Sequence, residues 1–225
     1  MTLHDAQTDT AAFLAGVPLF SGLSPEDREV IATTASRKHY RRHTVVMEKG
    51  DESSSLYVLL NGKVKVYICD REGKELVLNV LEPGAHLGEL ALLGGTGRTA
   101  SVMTQEDSEF LVISKQDFVN CLAKNPQLNL DLICHLVEQI QTLTERVGTL
   151  VLCDVYGRLS STLKELAREE DGRLITGRLT QQDLAQMVGS SREMVSRIFT
   201  ELKKGGYISI ENKRIIINKR LPARW

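Results

Sequence analysis

The stretch SREMVSRIF, residues 191–199, combines a charged helical face with an apolar one. Arg192, Glu193, Ser196 and Arg197 fall at helix positions i, i+1, i+4 and i+5, which share one face. Arginine donates two hydrogen bonds to O6 and N7 of guanine, and glutamate accepts one from N4 of cytosine. The stretch therefore predicts a helix that presents its first turns to base edges in DNA. The alternative is the solvated side of an ordinary surface helix.

A second set of polar residues lies in the glycine-rich segment GELALLGGTGRTA, residues 88–100. Gly88 allows close approach of another group to the backbone, and the Glu89 carboxylate accepts hydrogen bonds from hydroxyl groups. The Arg98 guanidinium pairs with phosphate, and Thr99 supplies a hydroxyl donor. The segment does not contain the G-K-[ST] of a nucleoside-triphosphate loop. These residue types together suit a ligand that carries both a phosphate and a sugar hydroxyl.

Short β-rich runs surround that segment. Five runs between residues 44 and 115, from TVVMEKGD to SEFLVISK, predict strands separated by turn residues. Asn-Gly at 61–62 predicts a hairpin between SLYVLL and KVKVYI, and Arg-Glu-Gly at 71–73 marks a second turn. A helix at 23–38, capped by Ser24, precedes them. Short strands at this spacing predict an antiparallel sandwich or roll.

Residues 115–172 predict three helices in succession. KQDFVNCLAKNP forms a short helix that ends near Pro126, a longer helix follows, and Asp154 caps a third that stops near Asp171-Gly172. Apolar residues in the longer helix are 3, 4, 3, 4 and 3 positions apart, which is the a/d seam of a coiled coil. The seam predicts a homodimer, and the alternative is a helix packed on its own domain. The seam consists of Ile133, Leu136, Ile140, Leu143, Val147 and Leu150.

The remaining residues predict a helix–turn–helix followed by a two-stranded wing. Two capping boxes, Thr180 with Asp183 and Ser190 with Glu193, mark the starts of two helices. A glycine between the boxes allows the turn. YISIE and RIIIN then alternate around an Asn-Lys turn, as paired strands do.

Composition and cysteine usage limit the class of protein. The 225 residues are 42% hydrophobic and 25% charged, which is typical of globular domains. The sequence contains no apolar run of about 18 residues, and its acidic N-terminus lacks the basic region of a secretory signal, so a cytoplasmic protein is expected. No C-x-x-C pair is present. Free, buried thiols and no metal are therefore expected for Cys69, Cys121, Cys134 and Cys153.

The net charge of −1 is the sum of two opposite regions. Residues 155–225 hold 14 Lys and Arg against 8 Asp and Glu, a net charge of +6. Residues 1–154 hold 14 against 21, a net charge of −7. A basic C-terminal region indicates a polyanionic partner, although chance clustering would give the same numbers.

Three motifs in this order resemble the catabolite activator protein/fumarate–nitrate regulator family of bacterial transcription factors. GELALLGGTGRTA resembles its phosphate-binding cassette. TERVGTLVLCDVYGRL, residues 144–159, resembles the end of its dimerisation helix and the hinge. LTQQDLAQMVGSSREMVSRIFTELKKGGYI, residues 179–208, resembles its helix–turn–helix. The resemblance extends from about residue 18 to about residue 220.

The resemblance implies an α+β fold in three parts. Residues 1–124 are expected to form N-terminal helices and an antiparallel β-roll, or jelly roll, of the cyclic-nucleotide-binding type. Residues 125–153 would form the dimerisation helix, and residues 154–225 a winged helix–turn–helix. The implied protein is not an enzyme, and the sequence contains no Ser/His/Asp, HExxH, Walker or Rossmann pattern. It is a homodimer that binds a palindromic DNA site, reorients its DNA-binding domains on effector binding, and meets RNA polymerase.

For DNA, the resemblance assigns base contacts to the charged helix face. The Glu-x-x-Ser-Arg pattern matches the fumarate–nitrate branch, and half-sites like TGTGA or TTGA are expected about one helical turn apart. Backbone N–H groups and hydroxyls near helix starts are expected to contact phosphates, and Lys213 to add a basic contact. For Lys213 the alternative is a solvated basic surface. The expected DNA-binding residues are Thr180, Gln181, Ser191, Arg192, Glu193, Ser196, Arg197 and Lys213.

For the effector, the resemblance implies cyclic AMP, with cyclic GMP, cyclic di-GMP or no nucleotide as alternatives. The family's adenine-contacting Thr-Ser pair aligns with Leu143-Thr144, where Leu143 cannot hydrogen-bond, and an arginine one turn earlier aligns with Gln139. An iron–sulfur sensor would need N-terminal cysteines, and a haem sensor an axial ligand, for which His86 is the one candidate. The expected effector-binding residues are Gly88, Glu89, Leu90, Arg98, Thr99, Leu143 and Thr144.

Overall fold

The computed structural model describes residues 3–52, 54–170 and 172–222, with side chains from Asp9 onward. Its residues group into two compact units. The first unit contains the residues up to Ile68 together with Leu78–Ile140. The second contains Cys69–Val77 and the residues from Gln141 onward.

Three short helical segments open the first unit. They are α1, Leu3–Ala15, a 3-10 turn at Pro18–Phe20, and α2, Pro25–Thr34. The Ser24 hydroxyl accepts a hydrogen bond from the backbone N–H of Asp27, so the predicted cap is confirmed. The predicted helical end at residue 38 is wrong. The chain leaves the helix after Thr34 because Ser36–Tyr40 pairs with the distant strand Ser108–Ser114 along an antiparallel ladder.

Eight strands form two four-stranded antiparallel sheets, as the predicted roll requires. The strand orders are β1-β8-β3-β6 and β2-β7-β4-β5. Met47, Val64 and Val102 from one sheet are buried against Leu59 and Phe110 from the other. The strands are β1 Ser36–Tyr40, β2 Val45–Met47, β3 Ser55–Asn61, β4 Val64–Cys69, β5 Glu75–Leu81, β6 His86–Leu87, β7 Ser101–Thr104 and β8 Ser108–Ser114.

The turn at Asn61-Gly62 does not join a paired hairpin, so that prediction is wrong. Strands β3 and β4 belong to different sheets, and the turn carries the chain from one to the other. Gly62 has φ +96°, and a Cβ there would lie 2.6 Å from the Asp107 carbonyl oxygen. Only glycine fits both constraints. The second predicted turn, at 71–73, does connect neighbouring strands, β4 and β5.

Two short helices pack on the roll, and a long helix follows them in the chain. They are α3, Glu89–Gly94, α4, Lys115–Lys124, and α5, Pro126–Leu152. Leu128 and Leu132 on α5 are buried in the core of the first unit. The predicted bounds of the short and long helices are therefore close to the observed ones.

The second unit begins at a capped helix and continues into a sheet. The Asp154 carboxylate accepts from the backbone N–H of Gly157 and starts α6, Val155–Leu166. The prediction that this helix continues to about residue 171 is wrong. Residues 167–170 form strand β9, Ala167–Glu170, which pairs with β10, Arg173–Arg178. In β9 the three charged residues after Ala167 are all exposed. The sequence therefore lacks the alternation of apolar and polar residues that would predict a strand.

The helix–turn–helix is α7, Gln181–Val188, and α8, Arg192–Lys204. The Thr180–Asp183 capping box is confirmed. The second box is wrong by one residue, because Ser191 caps α8 by accepting from the Met194 N–H. The wing is part of a larger sheet than predicted. Strands β11, Ile208–Glu211, and β12, Arg214–Ile217, extend the order to β11-β12-β10-β9.

One apolar core holds the second unit together. Leu163 from α6, Leu184 from α7, Phe199 from α8 and Ile215 from β12 are among its fully buried members. In the described part of the chain, no helix has the length and apolarity needed to cross a bilayer. The four cysteines are free, as expected, but only Cys121 is buried.

Candidate functional site

The glycine-rich segment folds into a short cassette around Gly88. This residue precedes α3 with φ +96°, a conformation that favours glycine. A Cβ at Gly88 would lie 3.1 Å from Cζ of Arg98 and closer still to Nη1. The glycine therefore makes room for the arginine side chain, which is the close approach expected from the sequence.

Arg98 is a buried cation whose described hydrogen bonds both go to backbone carbonyls. Only 7% of the residue is exposed. Its Nη2 donates to the Ser55 carbonyl at 2.8 Å and its Nη1 to the Gly88 carbonyl at 3.2 Å. The guanidinium lies 5.7 Å from the centre of the Tyr57 ring. Burial lowers the pKa of Arg98, and the nearby Tyr57, Glu89 and Asp51 oppose this by raising it. An arginine still stays charged at physiological pH.

Glu89 supplies the opposite charge in the first turn of α3. It is 4% exposed, and its Oε1 accepts a hydrogen bond from Nε2 of Gln139 at 3.3 Å. The same Gln139 Nε2 lies 2.7 Å from Nε2 of His135, one helical turn earlier on α5. A buried carboxylate and a buried guanidinium thus converge on one cassette. Their chemistry matches an anionic ligand that also carries hydroxyl groups.

His86 lies beside this network on β6. The residue is 9% exposed, and its ring centre is 4.3 Å from that of His135. No hydrogen-bond partner of its Nε2 is found among the described residues. Burial, and then the neighbouring His135, lower the pKa of His86 to about 3, so the ring is neutral at physiological pH. The described residues contain no group of three or more metal-binding side chains.

The structure brings together part of the predicted effector set. Gly88, Glu89 and Arg98 meet in the cassette, while Leu90 and Thr99 lie in the same segment with exposed side chains. Leu143 and Thr144 are exposed and follow Ile140, in the second compact unit. Their contact with an effector stays a prediction.

Sequence reasoning did not assign Ser55, Tyr57 or His135 to the cassette. Ser55 acts through its backbone carbonyl, which no residue-type pattern reports. Tyr57 reaches the cassette from β3, 41 positions before Arg98 in the sequence. His135 was detectable, because it precedes Gln139 by four residues and so shares its helical face.

The predicted base-reading residues of α8 line one surface depression. Arg192, Glu193, Ser196 and Arg197 line it together with Gln181 of α7. Thr200 also lines it and was not predicted, although its i+3 spacing from Arg197 places it on the same face. The opposite face of α8 is buried in the core, including Val195, Ile198 and Phe199. The helix is therefore held by one face and presents the polar face outward.

Local hydrogen bonds fix the charge or the position of several predicted DNA-binding side chains. A hydrogen bond from its own backbone N–H, and then one from the Ser191 hydroxyl, lower the pKa of Glu193, so it is an ionised acceptor. Nη2 of Arg197 lies 3.1 Å from the Met194 sulfur. The Thr180 hydroxyl caps α7 by accepting from Asp183 N–H at 3.1 Å.

Of the two cationic side chains at the wing turn, one is exposed and the other is bonded within the sheet. Lys213 is exposed in the wing turn with φ +64°. Arg214 is held in the sheet, where its guanidinium bonds the Glu170 carboxylate and donates to the Thr176 carbonyl. Lys213 is therefore the cation in this turn that is placed for an outside contact.

The a/d seam of α5 is apolar and largely exposed. Five of its six residues are 47% to 62% exposed, whereas Leu136 packs against the core of the first unit. Val137, 46% exposed, and Val151 and Leu152, 78% and 85% exposed, extend the apolar surface. The five exposed seam residues are Ile133, Ile140, Leu143, Val147 and Leu150.

Two family models match the chain. Residues 37–125 match the cyclic nucleotide-binding domain, and residues 157–221 match the Crp-like helix-turn-helix domain. The cassette lies within the first range and α7 and α8 within the second.

Relatives and solved structures agree with these matches. The chain is 33% identical over 183 residues to the cAMP-activated global transcriptional regulator CRP of Escherichia coli O6:H1, covering 79% of this chain and 87% of that protein. It is 28% identical over 218 residues to the CRP-like cAMP-activated global transcriptional regulator of Mycobacterium tuberculosis, covering 94% and 97%. The structure of the c-di-GMP responsive global regulator CLP of Xanthomonas campestris shares the fold, with a TM-score of 0.76 and 24% identity over 87% of this chain and 100% of that one. The chain therefore belongs to the CRP/FNR family of effector-responsive transcriptional regulators, which are not enzymes.

Proposed function

We propose that this regulator binds a cyclic nucleotide, with cyclic AMP as the first candidate, at the cassette of Gly88, Glu89 and Arg98. The observation that carries the proposal is the burial of both Arg98 and Glu89 in one cassette. A buried cation whose partners are neutral carbonyls gains strongly from a phosphate, because charge-assisted bidentate hydrogen bonds are strong. The Glu89 carboxylate accepts from a ribose hydroxyl in the same ligand.

Cyclic AMP is preferred among nucleotides because two relatives that the chain matches along most of its length are cAMP-activated regulators. The alternative is a regulator of the same fold that binds DNA without a nucleotide, or that senses cyclic di-GMP or another signal. Leu143 favours this alternative, because leucine cannot form a hydrogen bond with a base. Of the pair Leu143-Thr144, Thr144 alone supplies a hydroxyl.

The DNA-binding half of the proposal rests on α8. Arg192, Glu193, Ser196 and Arg197 occupy its exposed face and line one depression, so they are proposed to read base edges in the major groove. Thr180, Gln181 and Ser191 near the helix starts are proposed to contact phosphates. Lys213 at the wing turn adds a further phosphate contact.

The active form is proposed to be a homodimer joined along α5. The exposed apolar seam favours pairing with a second copy, because a regular a/d repeat buries its side chains as knobs in the facing helix. Twofold symmetry then matches a palindromic site. Effector binding is proposed to shift the dimer toward the form whose two helix–turn–helix units fit successive major grooves. Residues 1–124, 125–153 and 154–225 are the proposed effector, dimerisation and DNA-binding domains, and the bound dimer acts on RNA polymerase in the cytoplasm.

The test of effector identity is isothermal titration calorimetry with the full-length protein. Cyclic AMP, cyclic GMP, cyclic di-GMP and non-cyclic AMP are titrated in turn at one salt concentration. The proposal predicts saturable binding of cyclic AMP at one site per chain, tighter than that of non-cyclic AMP by at least about tenfold. Tighter binding of cyclic di-GMP, or no binding of any nucleotide, would replace cyclic AMP with the alternative.

A further inference from the structure

We propose that His135, in its neutral form, is a positioning residue for the effector site and acts on the Glu89 carboxylate through Gln139. The inference rests on the proposed function, because it assigns Glu89 to ligand binding. It adds two residues of α5 to the site and makes effector affinity depend on pH.

One nitrogen atom of Gln139 contacts two partners. Nε2 of Gln139 lies 3.3 Å from Oε1 of Glu89 and 2.7 Å from Nε2 of His135. A side-chain amide nitrogen carries two hydrogens and no lone pair available for acceptance. Gln139 therefore donates one hydrogen to the carboxylate and the other to the imidazole. The second bond requires a lone pair on His135 Nε2, so the ring must be neutral with its proton on Nδ1.

Protonation of His135 is incompatible with this arrangement. A protonated imidazole has an N–H at both nitrogens and cannot accept from Gln139. Rotating the amide by half a turn would place its oxygen against the imidazolium, but would also place that oxygen against the Glu89 carboxylate. Without rotation, the Gln139 and His135 nitrogens are two donors facing each other, and their repulsion displaces the amide from its place beside Glu89. With rotation, the bond from Gln139 to Glu89 is lost outright. Protonation of His135 therefore weakens the hold of Gln139 on Glu89.

The surroundings of His135 restrict where the proton can bind. The ring of His86, on β6, has its centre 4.3 Å away at an interplanar angle of 53°, and it stays neutral because burial lowers its pKa to about 3. Glu89 on α3 is the carboxylate that faces the network. On α5 itself, Asp131 and Glu138 lie about one turn away on either side, and Asp131 already accepts from Gln127 at 2.9 Å. His135 is partly exposed, so the solvent can deliver a proton to it rather than to His86.

The direction of the effect follows from this competition. Loss of the Gln139 bond leaves a buried carboxylate without its described side-chain donor, and it is then less well placed to accept from a ribose hydroxyl. A hydrogen bond to a charged group corresponds to roughly tenfold or more in affinity. Effector affinity should therefore be highest where His135 is neutral, at alkaline pH, and fall about tenfold where it is protonated.

The test measures cyclic AMP affinity from about pH 5.5 to about pH 8 in four full-length proteins. His135→Gln places an amide that can accept from Gln139 but does not titrate, and Gln139→Met keeps the side-chain length without the donors. Glu145→Gln, at an exposed position ten residues further along α5, is the matched control. We expect the pH dependence in the wild type and in Glu145→Gln, a flat profile at the alkaline affinity in His135→Gln, and a flat profile about tenfold weaker in Gln139→Met.

Two outcomes separate the failure of this inference from that of the proposed function. The inference is overturned if His135→Gln keeps the wild-type pH slope, or if Gln139→Met binds as tightly as the wild type. If no protein binds a cyclic nucleotide, the proposed function fails, and the inference is then judged on ligand-free protein by NMR titration of the histidine side chains. The His135 resonance should titrate differently in Gln139→Met and unchanged in Glu145→Gln, and identical titrations in all three proteins would overturn it.

Discussion

Arg98 has a structural part in the cassette, and we propose a ligand-binding part for it as well. Its guanidinium bonds the carbonyls of Ser55 and Gly88, and its backbone joins the loop at Gly50 and Asp51. Arginine suits both parts because its planar fork carries five donors, more than two carbonyls use. Lysine would keep the charge but lose the fork, so the two residues are not interchangeable here.

Replacing Arg98 with glutamine should therefore abolish most effector affinity. The Arg98→Gln protein retains donors for a carbonyl but no positive charge, and truncating one partner of a buried charge pair costs about 2–5 kcal/mol, or roughly thirtyfold or more in Kd. Calorimetry with cyclic AMP measures this loss. Lys63→Gln, which removes a partly exposed cation paired with Glu82 in the same roll, should bind like the wild type. Equal affinity of Arg98→Gln and Lys63→Gln would show that Arg98 does not contact the ligand.

Arg197 and Lys213 should differ in how they affect DNA binding. Arg197 lies in the α8 depression, so Arg197→Ala should cost about 1–3 kcal/mol on the preferred site and relax its base preference. Lys213 lies at the wing turn, so Lys213→Ala should weaken binding to all sequences alike and reduce the salt slope by about 1. Fluorescence anisotropy on specific and scrambled duplexes at several salt concentrations separates the two. A uniform loss for Arg197→Ala would place it on phosphate instead of base edges.

At the scale of elements, α5 is the part whose exposed apolar side chains favour pairing with a second copy. Ile140→Asp puts a charge in the middle of the seam, where dimerisation would bury it without an opposite charge, and should convert the dimer into a monomer. Gln141→Asp, at an exposed position one residue away, is the control and should remain dimeric. Sedimentation equilibrium gives both masses. A dimeric Ile140→Asp protein would mean that the seam is not the interface.

The same elements show what the sequence can and cannot predict. Helices with apolar periodicity and cap residues, such as α5 with its seam and α7 with Thr180 and Asp183, were predicted to within a few residues. Strands that lack an alternation of apolar and polar residues were not predicted. Residues 167–170, with one apolar residue and three charged ones, continue a helical pattern and become a strand only because β10 offers a ladder. Pairing between residues distant in sequence is what local patterns do not report.

The candidate sites show the same division. The α8 surface was predicted almost completely, because its side chains come from one helix and their spacing is visible in the sequence. The cassette was predicted only in the segment from Gly88 to Arg98. Its other contributors are the backbone of Ser55, the ring of Tyr57 and the His135–Gln139 pair, which the fold brings in from β3 and α5.

At the scale of the whole molecule, the proposed function requires that effector binding and DNA binding be coupled. If the effector favours the DNA-binding form of the dimer, it must bind that form more tightly than the other, and DNA must raise effector affinity by the same factor. A coupling of about 1–3 kcal/mol, or roughly 5- to 150-fold, is typical of such regulators.

The central claim is tested most directly by the affinity of the wild-type dimer for a palindromic TGTGA-type duplex, measured by anisotropy at one fixed salt concentration, with and without cyclic AMP. The account predicts that saturating cyclic AMP tightens binding by at least about fivefold, and that Arg98→Gln shows no such gain while keeping the basal affinity. Equal affinity with and without nucleotide in the wild type would contradict it. The cassette would then be a structural feature of the roll, and the protein would bind DNA without this signal.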